Sequence, residues 1–403
     1  MIFLKLAYKS LLERKGSIGL TIMAISLSVM LLLGVEQVRH EIKENFNRTV
    51  SGIDLIVGTR TGQTNLLLYS VFRIGAPTNN ISWEHYEHFN SLDSVKWTIP
   101  ISLGDSHRGY RVIGTSSQYF EHFSYGNQQH LEFQAGKPFN TNFEVVLGAD
   151  VAKTLGYQVG QSIILSHGIA KINIQQHSEH PFTISGILKP TGTPVDQTVH
   201  ASLAGIEAIH HKPNRTMTMN PNNPPTFKPT SITAFMIGLE SKLATFKVQR
   251  EINQYTGEPL TAILPGVALS ELWQMLGVFE KTLKAIGVLV LVTSTLGLSA
   301  MLLTTIHSRK NEIALLRAVG APASFLFLLI QTEALLIALV SAAFGWILIS
   351  GLLYFAQPFL LDLFSLNIQA NTLRTENLLL VCGVVGMTVL TTTIPSIVIY
   401  KPD

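Results

Sequence analysis

Four long apolar runs interrupt an otherwise mixed sequence: residues 17–35 near the start, then 283–306, 324–353 and 378–400 in the last third. Charged side chains are almost absent from them, with Glu333 standing inside the third. At about 1.5 Å of rise per residue, each run is long enough to cross the ~30 Å hydrocarbon layer as a helix. A helix on the surface of a soluble core would show a polar face at every turn, and these do not. The pattern predicts a membrane α-helical protein with four spans in a one-plus-three layout. A large polar stretch separates the first span from the second.

Inside that stretch the period changes. Residues 36–47 hold Val38, Ile42 and Phe46 four apart, which predicts a helix projecting from the membrane as a stalk. Residues 269–286 repeat the pattern with Leu272, Met275, Leu276, Phe279, Leu283 and Ile286, running into the second span. Two such helices can pack together as levers, or be plain juxtamembrane helices. Between them the signals shorten to strands at 53–57, 95–101, 144–147, 162–166, 181–188, 231–238 and 260–264. Helices are predicted at 83–92, 149–155 (stopped by Gly156) and 242–255. Strand–helix–strand at both ends of a strand-rich middle indicates an extracytoplasmic α+β domain over 39–279, with an inserted β-rich subdomain near 110–205. Residues 210–230, rich in proline and asparagine, read as a mobile loop or hairpin tip. The remaining segments are an amphipathic helix at 1–15, spans at 16–38, 280–306, 324–354 and 377–400, an inner helix at 307–323, an outer loop at 355–376 and a tail at 401–403.

Charge orients this layout. Lys5, Lys9, Arg14 and Lys15 precede the first span, Arg309, Lys310 and Arg317 join the second to the third, and Lys401 follows the fourth. The third-to-fourth loop carries only Arg374 beside Asp362 and Glu376. The positive-inside rule places both termini and the 308–323 loop in the cytoplasm, and the large domain outside. A cleaved signal peptide also begins with cations before an apolar run, but no small-residue cleavage site follows and the helical pattern continues. A net charge of +3 without a basic run argues against nucleic acid as a partner. The single cysteine, Cys382, excludes an intrachain disulfide.

Several segments resemble the FtsX/MacB-like permease family of ABC transporters. They are VLGADVAKTLGYQVGQSI at 146–163, FTISGILKPTGTPVDQTVHASL at 182–203, LVTSTLGLSAMLLTTIHSRKNE at 291–312 and KNEIALLRAVGAP at 310–322. The resemblance covers most of the chain; the short tail IPSIVIYKPD departs from longer members. It implies a type VII permease subunit that dimerises, with itself or a paralogous permease, and binds a separate ABC ATPase carrying ATP and Mg. ATP-driven closure of that partner would be transmitted through the spans to the outer domain. By the same likeness the insert near 110–205 is a small β subdomain and its flanks are porter-like. The localisation implied is the inner (cytoplasmic) membrane, multi-pass, with the large domain periplasmic or extracellular.

The chain's own residues lead to a similar place. It has no G-x-x-x-x-G-K-[ST] phosphate loop, no H-E-x-x-H and no nucleophile elbow, so no catalytic residue and no cofactor of its own is expected. Glu312, Leu315, Leu316 and Arg317 present an apolar edge between charges on a helix closed by Gly320 and Pro322. They suit docking into a cytoplasmic ATPase, or an interfacial helix on lipid headgroups. Glu333 inside a span must be protonated, paired or near a surface, serving a structural hydrogen bond or a proton relay. Every histidine but His307 falls in the 40–279 stretch, and His167, His177, His180, His200, His210 and His211 are candidate zinc or copper ligands against ordinary surface roles. Gly186, Gly192, Pro194 and Asp196 read as turn architecture. The apolar run 64–72 is the one candidate for a greasy collar, or else a buried strand or helix.

The functions open at this point are a mechanically coupled permease that exports or extracts a substrate (lipoprotein extraction being one variant), a regulatory subunit acting on a cell-envelope partner, and a subunit of a zinc-related envelope system. A periplasmic adaptor or metal-binding protein would accompany the last.

Overall fold

In the computed structural model the described residues are 15–49, 51–126, 128–168, 180–210, 227–308, 315, 318–364 and 374–398. They divide into two compact units, a helical one and an α+β one.

The helical unit is built on α1 (Lys15–Thr49), α8 (Pro265–Ser308), α9 (Ala323–Phe364) and α10 (Thr375–Val398). Among the described residues these four helices are long and apolar enough to cross a membrane. Helices in lipid gain nothing from hydrophobic exclusion, so close approach and polar contacts hold them together. Small residues supply both here. A Cβ on Gly345 would lie 2.7 Å from the Ser26 carbonyl oxygen and 2.8 Å from Val29 Cβ, so α9 meets α1 backbone to backbone. The Ser26 hydroxyl donates to the Ser341 carbonyl at 2.9 Å, Ser28 bonds Ser294 at 3.2 Å, and Ser299 donates to the Thr391 carbonyl at 3.2 Å. The third apolar helix runs past its expected boundary at 354 to Phe364, because residues 355–364 stay apolar apart from Gln357 and Asp362. The amphipathic segment at 1–14 lies outside the described residues.

The α+β unit is organised by one mixed sheet. In sequence its elements are β1 (Leu55–Thr59), α2 (Gln63–Ser70), β2 (Ile81–Ser82), α3 (Trp83–Asn90), β3 (Val95–His107), β4 (Tyr110–Thr115) and α4 (Gln118–His122). There follow β5 (Ser124–Tyr125), β6 (Gln129–His130), β7 (Phe133–Gly136), β8 (Glu144–Leu147), α5 (Ala149–Leu155), β9 (Ser162–Ile163), β10 (Ser166–His167) and β11 (Phe182–Leu188). A 3-10 turn at Pro194–Gln197 leads to β12 (Thr198–Ser202), α6 (Leu203–His210), β13 (Ser231–Ile232), β14 (Ala234–Leu239), α7 (Thr245–Asn253) and β15 (Leu260–Ile263). The sheet order is β15-β1-β14-β3-β4-β12-β8-β11-β7, with β10 on β3 and β9 on β11. Pairs β4/β12 and β8/β11 are parallel and the rest antiparallel.

Central strands β1 and β14 are buried at every position, which explains why LIVGT and AFMIGL carry no polar alternation. Alternate residues feed opposite cores. Ile56, Ile99, Met236 and Ile263 join the aromatic cluster of Tyr119, Phe120 and Phe123, whereas Leu55, Val57, Phe235 and Ile237 face Tyr86, Phe89 and Ile252. A third core under β8, β11 and β12 packs Val145, Phe182 and Val199 against Val151 of α5. Strand β3 is long enough to serve both halves, so the strands of the 110–205 insert continue the sheet of its flanks. One residue, Leu264, separates β15 from α8.

The apolar run at 64–72 is not a collar. It forms α2 and the turn after it, and Leu66 and Leu67 are 0% exposed in the first core. Its greasiness belongs to packing under β1. The 210–230 loop lies largely outside the described residues.

Candidate functional site

Where α1 leaves its apolar stretch it carries Glu36, Gln37, Arg39 and Glu41 within two turns, and α8 approaches its own with Glu280 and Lys284. The spacings place Glu36 with Arg39 and Glu280 with Lys284 on single faces. Glu36 and Glu41 are buried, and a buried charge is tolerated only when paired. Lys284 Nζ lies 2.7 Å from Glu36 Oε2 and 3.1 Å from Glu280 Oε1. Arg39 pairs with Glu36, and its Nε is 3.3 Å from Glu280 Oε1. On the other side Arg374 Nη2 donates to Glu41 Oε1 at 2.6 Å, and Asn377 Nδ2 to Gln37 Oε1 at 3.4 Å. Gln37 bridges the halves by donating to Glu41 at 3.3 Å. Three helices are thus clasped at one level by directional, charge-assisted contacts. Such contacts resist small displacements and fail together under large ones. In the sequence Arg374 serves only to orient the chain and the others look like ordinary solvated span flanks; the i,i+3 and i,i+4 pairing of opposite charges is the signal that could find them.

The inner segment between α8 and α9 is described in part. Leu315 is 67% exposed and Val319 83% exposed, one helical turn apart, and the Val319 amide donates to the Leu315 carbonyl at 3.1 Å. Gly320 at φ +98° ends the turn in a conformation that glycine adopts freely. Glu312, Leu316 and Arg317 lie outside the described residues. Glu333 sits in α9, 5% exposed.

The histidine candidates scatter. His177 and His211, with the side chain of His167, lie outside the described residues. His180 stacks on Phe143 with ring centroids 5.3 Å apart. His210 Nε2 is 3.5 Å from Asp105 Oδ1, which holds the imidazole above its ordinary pKa. His200 is buried on β12 beside Tyr119, its Nδ1 3.3 Å from the Val146 carbonyl. Burial, reinforced by the Arg73 guanidinium, pushes it down to about 3. Among the described residues no group of three or more His, Cys, Asp or Glu side chains is arranged to hold a metal ion.

Asp196 closes the KPTGTPVDQ turn. Its carboxylate accepts from the Thr191 amide at 2.9 Å, the Thr191 hydroxyl at 2.9 Å and the Gly192 amide at 2.7 Å. Burial pushes its pKa up to about 6 against the pull of those donors. Gly148 lets the turn press on β8: a Cβ there would lie 2.3 Å from the Val195 carbonyl oxygen. The arrangement fixes a loop and leaves no lone pair poised for chemistry.

A family model described as FtsX-like permease C-terminal matches residues 284–403, and one described as MacB-like periplasmic core domain matches residues 18–255. Among solved structures, the chain is similar to the periplasmic region of MacB from Actinobacillus actinomycetemcomitans, at 10% identity and a TM-score of 0.36, covering 56% of this chain and 97% of that one. It is also similar to the extracellular domain of the noncanonic ABC-type transporter YknZ from Gram-positive bacteria, at 14% identity and a TM-score of 0.32, covering 52% and 98%. No curated protein matches.

Proposed function

The chain belongs to the FtsX/MacB-like permease family of ABC transporters, and from that premise we propose that it relays the work of a separate ATPase to its outer α+β domain. In this reading the ATPase, loaded with ATP and Mg, docks on the inner segment through Leu315 and Val319, with Glu312, Leu316 and Arg317 completing the contact. Movement then passes along α1 and α8, which the Glu36–Lys284 and Arg39–Glu280 pairs oblige to shift together. Substrate is handled at the outer face, for export or extraction, and does not pass through the spans. Two permease copies, identical or paralogous, would straddle one ATPase dimer.

The observation that carries the reading is the order of the two family matches, 18–255 and then 284–403, which take in the first apolar helix with most of the domain after it and then the last two helices with the latter half of the second. Two large aliphatic side chains exposed on an inner turn support it, because an apolar pair facing water is costly unless a partner covers it. Co-purification tests it. The wild-type chain should retain an ABC ATPase through gel filtration, and Leu315→Glu with Val319→Glu should lose it. Measured for ATP hydrolysis and for transport with that ATPase, the Glu312→Ala, Arg317→Ala double variant should keep the first and lose the second. Retention of the ATPase by the glutamate pair, or normal transport by the alanine pair, would sink the docking assignment.

A further inference from the structure

A groove of about 500 Å³ runs between α1, α8 and α10 in the helical unit. Its charged residues, Glu36, Lys284 and Glu376, are the first lining residues on the outward-reading end of α10 and α8 and the last on α1, so they gather at one mouth. Beyond them the walls are Leu, Val, Met and Gly, ending at Met387. From Glu376 to Met387 the helix rises ~16 Å, close to the ~15 Å depth of hydrocarbon in one leaflet. Gly383 lies along the slot, and a Cβ built there meets nothing within 4 Å. An apolar slot one leaflet deep, with charge only at the headgroup level, has the dimensions of an acyl chain.

The mouth specifies which headgroup. Glu36 and Lys284 neutralise each other at 2.7 Å, and Lys284 also meets Glu280. Glu376 is exposed and forms no ion pair within 4 Å among the described residues, and the Arg39 guanidinium reaches it only through its field, so its carboxylate oxygens stay open to a headgroup cation. An ammonium carries three N–H donors, and the contacts of Lys284 with Glu36 and Glu280 use two of them. The remaining donor can meet a phosphate oxygen while Glu376 meets a cation. We propose that the slot binds a bilayer phospholipid with an amine headgroup, one acyl chain lying along Leu32, Gly383 and Met387, its phosphate at Lys284 and its ammonium at Glu376. A lipid so held wedges α10 against the α1–α8 pair, which goes beyond the relay proposed above and does not depend on the ATPase.

Native mass spectrometry of the full-length protein in detergent, titrated separately with phosphatidylethanolamine and phosphatidylglycerol, tests this. One phosphatidylethanolamine should bind about tenfold more tightly than phosphatidylglycerol. Glu376→Gln should bring the two lipids to within about twofold, since the open carboxylate is gone. Gly383→Leu should weaken the one-to-one adduct about tenfold by filling the slot. Equal affinity for both lipids in the wild type means annular lipid only and overturns the proposal, as does an adduct indifferent to Gly383→Leu in a protein that still melts cooperatively. If Gly383→Leu changes the monomer–dimer ratio and leaves lipid binding alone, a second copy fills the slot and the proposal fails. Should the leucine variant not fold, the headgroup selectivity of Glu376→Gln decides the matter alone.

Discussion

A neutral imidazole shut in beside a guanidinium makes His200 acid-sensitive. Its folded pKa, pushed down to about 3, lies below the unfolded value near 6.5, so the unfolded chain takes up the proton first as pH falls. The stability it contributes is complete above about pH 6.5 and drains away toward pH 3, by on the order of 5 kcal/mol in all. Asp196 has the opposite sign. Its folded pKa, up at about 6, exceeds the unfolded one, so its contribution is greatest below about pH 4 and is lost as pH rises through 6. The histidine has the larger shift and should prevail. Hydrogen exchange of the β12 and β8 amides in the full-length protein should therefore accelerate between pH 6.5 and 4.5, after correction for intrinsic rates. His200→Phe should flatten or reverse that slope; an unchanged slope would place the acid-labile group elsewhere. Removing the Asp196 carboxylate instead leaves the Thr191 and Gly192 donors unmet. Asp196→Ala should cost about 1–3 kcal/mol at neutral pH, read from the same amides.

At the scale of elements, the clasp between α1 and α8 behaves as a coupled unit. Lys284→Met strips Glu36 of its closest ammonium while leaving the carboxylate buried, so it should destabilise more than the double change Glu36→Gln, Lys284→Met. Thermal unfolding in detergent should give a coupling energy of about 0.5–3 kcal/mol, and additive effects would mean that the pair is decorative. Gly345→Val probes packing: its side chain meets the Ser26 carbonyl and Val29, neither of which yields without moving α1, at a cost of about 1–3 kcal/mol. Sequence made some of these elements plain and concealed others for physical reasons. Strand β8 and helix α5 were readable to the residue because Gly148 and Gly156 punctuate them, the second at φ +68°. The long apolar helices are readable because an uninterrupted apolar run of about twenty residues satisfies its own backbone in lipid as a helix, whereas a barrel strand alternates. The clasp is not readable, since which opposite charges meet is decided by helix neighbours that periodicity cannot name. The 64–72 run misled for a related reason: uninterrupted apolar character reports burial and does not say whether lipid or protein does the covering.

For the whole molecule, orientation is the assertion most readily exposed to experiment. A cysteine placed at Ser241, in the turn before α7, should react with a membrane-impermeant maleimide in intact cells. One at Val319 should react only after permeabilisation, with Cys382 replaced by serine in both backgrounds. The reverse pattern would turn the proposed relay inside out. The eleven-stranded sheet is not legible in the sequence, because its order pairs β1 with β14 and β4 with β12, contacts between residues far apart in the chain. The join between β15 and α8 lies within the α+β unit and is a single residue long. Leu264 alone offers a pair of rotatable dihedrals, too few to make a swivel. Whatever displaces the first turn of α8 must therefore tow the terminal strand with it, like a tendon sewn straight to bone.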